Sequence, residues 1–151
     1  MGGGSDPTEF INYLKPHTKS NKKVIVVFDR DDAGSQGMRK CIGQGHDRGH
    51  DFEVHKKENW YYFMLPKSEG HDHLDFMIED YFPKEYKMQI IGNMNKDADG
   101  QMSKHPKDNR DYLKRSLAST ESFESYTSST MSGFGFLLNV LVDIIEGVYD
   151  C

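Results

Sequence analysis

The chain has few cysteines and no long apolar run. Cys41 and Cys151 are its only cysteines, and they are too few and too far apart in sequence to form a disulfide framework. The amino terminus shows no signal-peptide pattern. The longest apolar stretch, residues 134–145, is interrupted by a glycine and two polar residues and is shorter than the roughly 18–20 residues of a membrane-spanning helix. These absences predict a cytoplasmic protein without a membrane partner.

Apolar residues are also scarce, at 36% of the chain, whereas charged residues make up 28%. Aromatic residues, at 12%, compensate in part because each buried ring removes a large area from water. The 151 residues predict one domain, 1–151, with a single packed core. A net charge of −5 argues against a surface that coats nucleic acid, although bound metal ions let an acidic protein act on phosphates.

Several familiar functional motifs are missing. No G-x-x-x-x-G-K-[ST] occurs, so any ATPase belongs to another part of a longer protein or to a partner. Residues 95–100 resemble an EF-hand loop, but Pro106 stands where the bidentate Glu belongs, and a tight Asp-Gly turn is favoured instead. The histidines of the middle region match no zinc-ligand spacing and are expected to be solvated loop residues: His46, His50, His55, His71 and His73.

What the chain does have is an apolar strand that ends in carboxylates. Residues 24–28, Val-Ile-Val-Val-Phe, are followed by Asp29 and Asp31. In an open α/β sheet the reactive crevice lies beyond the carboxyl ends of the strands. Because Asp29 and Asp31 are two residues apart, their side chains point the same way if the chain there is extended. Carboxylate oxygens of this kind suit Mg²⁺. Two alternatives remain open: an Asp that caps the following helix, and a receiver-like or dehalogenase-like Asp nucleophile.

Hydrophobic spacing and turn residues predict the remaining elements. The expected order is a helix from Pro7 to Leu14 capped by Ser5 or Asp6, a short helix after Gly34, a loop over 43–58, a second buried strand over 60–65, a helix over 73–82, a strand over 86–92, a mobile segment over 93–109, and a helical part over 110–151 that ends in a helix over 134–148.

Residues 29–34, Asp-Arg-Asp-Asp-Ala-Gly, resemble the D-x-D-x-x-(A)G motif of TOPRIM domains, the metal-binding domains of topoisomerases, bacterial primases and OLD (overcoming lysogenization defect) nucleases. Residues 60–66 and 78–82 resemble the strand, proline and acidic helix that follow the motif in OLD-type nucleases. The resemblance implies an α/β, TOPRIM-like (Rossmann-like) fold with a mostly parallel central sheet flanked by helices.

The resemblance also implies a function: a Mg²⁺-dependent (or Mn²⁺-dependent) DNA endonuclease. Asp29 and Asp31 would hold the first metal and Glu79 the second, and Lys104 or Lys107 would be the late basic residue of the site. DNA and an ABC-type ATPase domain or partner protein are the implied partners.

The family's first strand, which ends in a catalytic Glu, has no counterpart before the D-x-D strand. The opening residues 1–5 resemble the glycine turn that follows that strand, so the resemblance predicts an N-terminally truncated domain. The isolated chain is therefore expected to cleave DNA weakly or not at all. The alternative is a non-catalytic TOPRIM remnant or a docking domain for an ABC-type ATPase.

Overall fold

The computed structural model describes residues 7–19, 21–43, 46–94, 106–119 and 124–151. They divide into two compact units, Met1–Met77 with Phe136–Cys151 as the first and Ile78–Gly135 as the second. The interpretation of 1–151 as one domain stays a prediction.

The helices and strands follow one another in α/β fashion. In chain order they are α1 (Pro7–Leu14), a 3₁₀ turn (Lys15–His17), β1 (Val24–Phe28), α2 (Asp32–Ile42), β2 (His55–Lys57), β3 (Trp60–Met64), a 3₁₀ turn (Ile78–Tyr81), α3 (Lys84–Met94), α4 (Pro106–Leu117), α5 (Ser128–Met131), a 3₁₀ turn (Ser132–Phe134) and α6 (Gly135–Glu146).

The first unit contains a three-stranded mixed sheet in the order β1-β3-β2. β1 runs parallel to β3, with Val24 opposite Trp60 and Phe28 opposite Met64. The two long apolar strands that the sequence predicts are therefore neighbours in the sheet and run parallel. β2 pairs with β3 in the antiparallel sense, so the sheet is mixed rather than mostly parallel. β3 is central, and every residue of it is buried.

The two faces of the sheet are covered by different helices. One face joins Phe28, Trp60, Tyr62 and Met64 to apolar side chains of α1 and α2 in a single core. On the other face, the Phe52 ring lies 5.8 Å from that of Phe63 and 5.6 Å from that of Phe136 in α6. α6 buries a stripe of apolar side chains, namely Leu137, Val140 and Ile144.

Three element predictions are wrong. Residues 86–92 belong to helix α3 rather than to a strand, and the carbonyl of Pro83 accepts the N–H of Lys87 at the start of that helix. Residues 73–82 are not a helix, because Phe76 forms an antiparallel bridge with Arg30 and only Ile78–Tyr81 turns as a 3₁₀ helix. The expected loop over 43–58 contains β2, which forms by pairing with β3.

The second unit packs around aromatic rings. The ring centroid of Phe134 lies 4.9 Å from that of Tyr81 and 5.0 Å from that of Phe82, and Phe82 lies 5.3 Å from Tyr126. Gly133 permits this packing, since a Cβ there would stand 2.0 Å from the Tyr81 carbonyl oxygen. The predicted mobile segment lies largely outside the described residues, and α4 begins at Pro106.

Among the described residues, one helical stretch is long and apolar enough to cross a membrane by length and composition alone. It covers Ser128–Glu146, 19 residues with a mean hydropathy of 1.4. The core helix of a soluble protein passes the same test, and α6 contributes Leu137, Val140 and Ile144 to the interior of the protein.

Candidate functional site

The turn after β1 is built around the side chain of Asp31. Asp31 is extended, with φ −138° and ψ −175°, and its Oδ1 accepts the backbone N–H of Gly34 at 2.7 Å. This makes Asp31 the N-cap of α2, which satisfies one of the donors that a helix start leaves unpaired. The capping alternative from the sequence is therefore confirmed, and it uses one oxygen of a carboxylate that has two.

Gly34 explains why the motif ends in glycine. A Cβ at Gly34 would lie 1.8 Å from the backbone carbonyl oxygen of Asp29 and 3.3 Å from Asp31 Oδ1. Any larger residue would push the first turn of α2 away from the end of β1. The glycine thus holds Asp29, Asp31 and the helix start together.

Arg30, between the two aspartates, is buried with 4% of its surface exposed. Its Nε donates to the carbonyl of Leu65 at 3.0 Å, and its Nη1 donates to the carbonyls of Arg48 at 3.1 Å and His50 at 2.5 Å. Its backbone N–H donates to the carbonyl of Phe76 at 2.7 Å. Arg30 therefore ties the turn to the loop over 46–50 and to the chain that follows β3.

A charged cleft of about 460 Å³ opens beside the turn. Arg48 stands at its rim, with Nη1 2.6 Å from Asp75 Oδ1 and Nε 3.7 Å from Asp32 Oδ1. The hydrogen bond to Asp75 and the charge of Asp32 raise the pKa of Arg48. The cleft is lined by Asp32, Ser35, Gln36, Arg39, Asp47, Arg48, Gly49 and Leu74.

Three histidine rings lie close together, those of His46 and His50 in the loop over 46–50 and that of His55 in β2. For His46 the expectation of a solvated side chain is wrong. His46 is 3% exposed, and its ring centroid lies 4.2 Å from that of His50 and 5.0 Å from that of His55. Burial, followed by the neighbouring His50 and His55, lowers the pKa of His46. The rings of His50 and His55 pack against it, and the spacing of these histidines in the sequence did not indicate that contact. Across the described residues, no group of three or more His, Cys, Asp or Glu side chains is arranged to hold a metal ion.

Glu79 belongs to the second unit and is buried, with 4% of its surface exposed. Its Oε1 lies 3.9 Å from Lys114 Nζ. Both side chains line a largely apolar cavity of about 360 Å³ together with Phe82, Leu117, Tyr126 and Phe134. Lys114 is a basic neighbour that the sequence did not single out. Lys104 lies outside the described residues, and Lys107 lies in α4 at a position whose side chain is not described.

The predicted site residues thus fall into two groups. Asp29 and Asp31 flank Arg30 at the carboxyl end of β1 in the first unit, and Glu79 lies in the second. Comparison with protein-family models, with curated proteins and with solved structures finds no match to this chain.

Proposed function

We propose that the chain is a TOPRIM-like domain of the OLD nuclease type that cleaves DNA with the help of Mg²⁺, and that Asp29 and Asp31 hold the cation. The observation that carries the proposal is the position of these carboxylates. β1 is paired in parallel with a fully buried β3, and both aspartates follow directly at its carboxyl end, where α/β enzymes place their chemistry.

The donor groups of the turn fit a hard divalent cation. Asp29 and Asp31 offer carboxylate oxygens, and the cap occupies Asp31 Oδ1. Arg30 directs hydrogen bonds into the protein, to three backbone carbonyls. Such a site would hold Mg²⁺ through one or two carboxylates and leave its other positions to water and phosphate oxygens. A bound Mg²⁺ would lower the pKa of its water and polarise the phosphate.

The cleft beside the turn supplies groups for a phosphate backbone. Arg39 and Arg48 line it, and guanidinium groups bind phosphate oxygens through paired N–H donors. Arg48 is held by Asp32 and Asp75, which fixes its position. The net charge of −5 would then confine DNA binding to these two guanidinium groups and to the metal. Glu79 is the proposed ligand of a second cation.

A second candidate is a non-catalytic, cation-binding domain that docks on an ABC-type ATPase in the cytoplasm. The observation that favours it is the capping role of Asp31. The hydrogen bond to Gly34 accounts for an aspartate at position 31 through helix capping alone, without a role in catalysis.

A plasmid-nicking assay separates the two candidates. We expect the isolated chain to nick supercoiled plasmid slowly at best in Mg²⁺ or Mn²⁺, because cleavage by two metals needs both ions held at a fixed separation. That nicking should disappear in Asp29→Asn and Asp31→Asn and persist in the control Asp72→Asn, an exposed loop carboxylate. Metal binding without nicking supports the second candidate, and nicking that survives Asp31→Asn contradicts both.

A further inference from the structure

The turn that carries Arg48 is braced by its own hydrogen bonds. The N–H of His50 donates to the carbonyl of Asp47 at 3.1 Å, and the N–H of Gly49 donates to Asp47 Oδ1 at 2.9 Å. An aspartate that accepts backbone N–H groups in this way closes a tight turn. A contact that holds the carbonyls of this turn therefore also fixes the backbone of Arg48.

The contact that holds the turn is the side chain of Arg30. Its Nη1 donates to the carbonyls of Arg48 at 3.1 Å and His50 at 2.5 Å. Its Nε donates to the carbonyl of Leu65 at 3.0 Å. A guanidinium group presents its donors in one rigid plane, so these acceptors are held at fixed places around it. Arg30 is buried, so water has little access to the same carbonyls.

The backbone of Arg30 is fixed as well as its side chain. Its N–H donates to the carbonyl of Phe76 at 2.7 Å, and its carbonyl accepts the N–H of Phe76 at 2.9 Å. Arg30 stands between Asp29 and Asp31 at the carboxyl end of β1. One residue thus joins the two carboxylates that we propose for the cation to the turn that carries Arg48.

The guanidinium group of Arg48 is anchored to the same part of the fold. Its Nη1 lies 2.6 Å from Asp75 Oδ1, and its Nε lies 3.7 Å from Asp32 Oδ1. Asp32 directly follows Asp31, and Asp75 directly precedes the residue that pairs with the Arg30 backbone. Arg48 is therefore held at both ends, with its carbonyl bound by Arg30 and its guanidinium group bound by carboxylates.

We infer that Arg30 is a positioning residue, which sets the distance between the cation site at Asp29 and Asp31 and the guanidinium group of Arg48. The inference rests on the proposed function, in which the cation binds the phosphate that is cleaved and Arg48 binds another phosphate of the DNA. Phosphates are regularly spaced along a DNA strand, so the two protein groups must match that spacing. A misplacement of about 1 Å can cost on the order of a hundredfold in rate.

A lysine at position 30 keeps the charge of Arg30 but lacks the planar set of donors that binds three carbonyls at once. We therefore expect Arg30→Lys to displace Arg48 while the Asp31 cap at Gly34 still holds the start of α2. The loss should appear in the binding of DNA, through the phosphate contact of Arg48.

Binding of a short DNA duplex in Mg²⁺, measured by fluorescence anisotropy at several salt concentrations, tests the inference. Each phosphate contact that is lost lowers the slope of log affinity against log salt by about one. Arg30→Lys and Arg48→Ala should each weaken binding several-fold and lower the slope by that amount. The double variant should match Arg48→Ala, because both losses pass through the same contact. Additive losses, or an Arg30→Lys variant that binds like wild type, would overturn the inference.

Ile11→Val separates this effect from a general loss of stability. Ile11 is buried in the core that α1 shares with the sheet, so the variant should unfold more easily and still keep the affinity and the salt slope of wild type. A loss of slope in Ile11→Val as well would attribute the Arg30→Lys result to instability and overturn the inference.

The side-chain N–H signals of Arg48 in NMR spectra report its position without DNA or a metal. They should shift and exchange faster with water in Arg30→Lys but stay unchanged in Ile11→Val. Signals that Arg30→Lys leaves unchanged would overturn the inference, whatever the DNA result. Changed signals in a chain that binds no DNA would uphold the placement of Arg48 by Arg30 and refute the proposed function instead.

Discussion

At the scale of single residues, the D-x-D turn has a structural role beside the chemical role that we propose for it. Asp31 caps α2, Gly34 permits close approach to Asp29, and buried Arg30 holds the carbonyls of Leu65, Arg48 and His50. The sequence predicted that the two aspartates and the glycine belong to one turn, because they lie within a few residues of one another. The sequence did not indicate that Arg30 would be buried, since the backbone carbonyls that accept its hydrogen bonds lie far along the chain.

Gly34→Ala should destabilise the first unit by about 2 kcal/mol or more, because its Cβ would overlap the Asp29 carbonyl and the backbone there must move. Urea unfolding measures the change. Gly92→Ala is the matched control: nothing lies within 4 Å of its Cβ position in helix α3, so alanine should stabilise by about 0.5–1 kcal/mol. Equal effects at both sites would contradict the close approach.

Substitutions at Asp31 separate its cap from its charge. Asp31→Ala should cost about 0.5–2 kcal/mol in the free energy of unfolding, since the bond to the Gly34 N–H is lost. Asp31→Asn keeps an acceptor oxygen and should stay close to wild type in stability. Denaturant titrations of the two variants decide the point, and an asparagine variant as unstable as the alanine variant would show that the charge, not the cap, stabilises the turn.

At the scale of elements, the long apolar strands were predictable and the short polar ones were not. β1 and β3 are confirmed because a continuous run of β-branched or aromatic residues favours a strand, although only β3 is buried throughout. β2 consists of His55–Lys57 and exists by virtue of its pairing with β3. Residues 86–92 alternate like a strand, but they lie in helix α3. In so short a segment the apolar residues fit the two-residue period of a strand and the 3.6-residue period of a helix equally well.

The histidine cluster should make the loop over 46–50 sensitive to acid. The pKa of His46 is lowered from 6.5 in the fold, so its contribution to stability is fully present above pH 6.5 and is lost as pH falls below that value. The free energy of unfolding of wild type should therefore drop between about pH 7 and pH 5. His46→Phe, which keeps a ring but cannot take a proton, should flatten that drop, and an unchanged slope would exclude His46 as its source.

A second electrostatic contact joins the end of the chain to the sheet. Asp150 lies 2.8 Å from Lys23 Nζ and 3.2 Å from Lys56 Nζ and accepts a hydrogen bond from Tyr61. The bonds to Lys23, Tyr61 and Lys56 hold the pKa of Asp150 far below 3.8. Its contribution to stability is thus complete above about pH 3.8 and lost as pH falls further.

Asp150→Asn should lower stability at neutral pH and weaken the pH dependence below about 4. Thermal unfolding at pH 7 and at pH 3 checks both effects. The control Asp72→Asn changes an exposed loop carboxylate of the same unit and should leave both quantities close to wild type. If the two variants behave alike, the Asp150 contacts contribute nothing measurable.

At the scale of the whole molecule, the α/β character of the first unit followed from the sequence, but the placement of the predicted site residues in different units did not. Asp29 and Asp31 lie in the first unit and Glu79 in the second. Glu79 is buried beside Lys114 in an apolar cavity, an environment that depends on rings such as Phe82 and Phe134. No local pattern around Glu79 encodes that arrangement.

The central claim is that the turn after β1 binds a divalent cation, and calorimetric titration of Mg²⁺ and Mn²⁺ tests it most directly. Wild type should bind weakly, because two carboxylates alone hold Mg²⁺ loosely. Asp31→Asn, which keeps the cap at Gly34, should reduce the affinity at least several-fold, and Asp72→Asn should not change it. Identical isotherms for wild type and Asp31→Asn would contradict the claim and leave Asp31 as a helix cap alone.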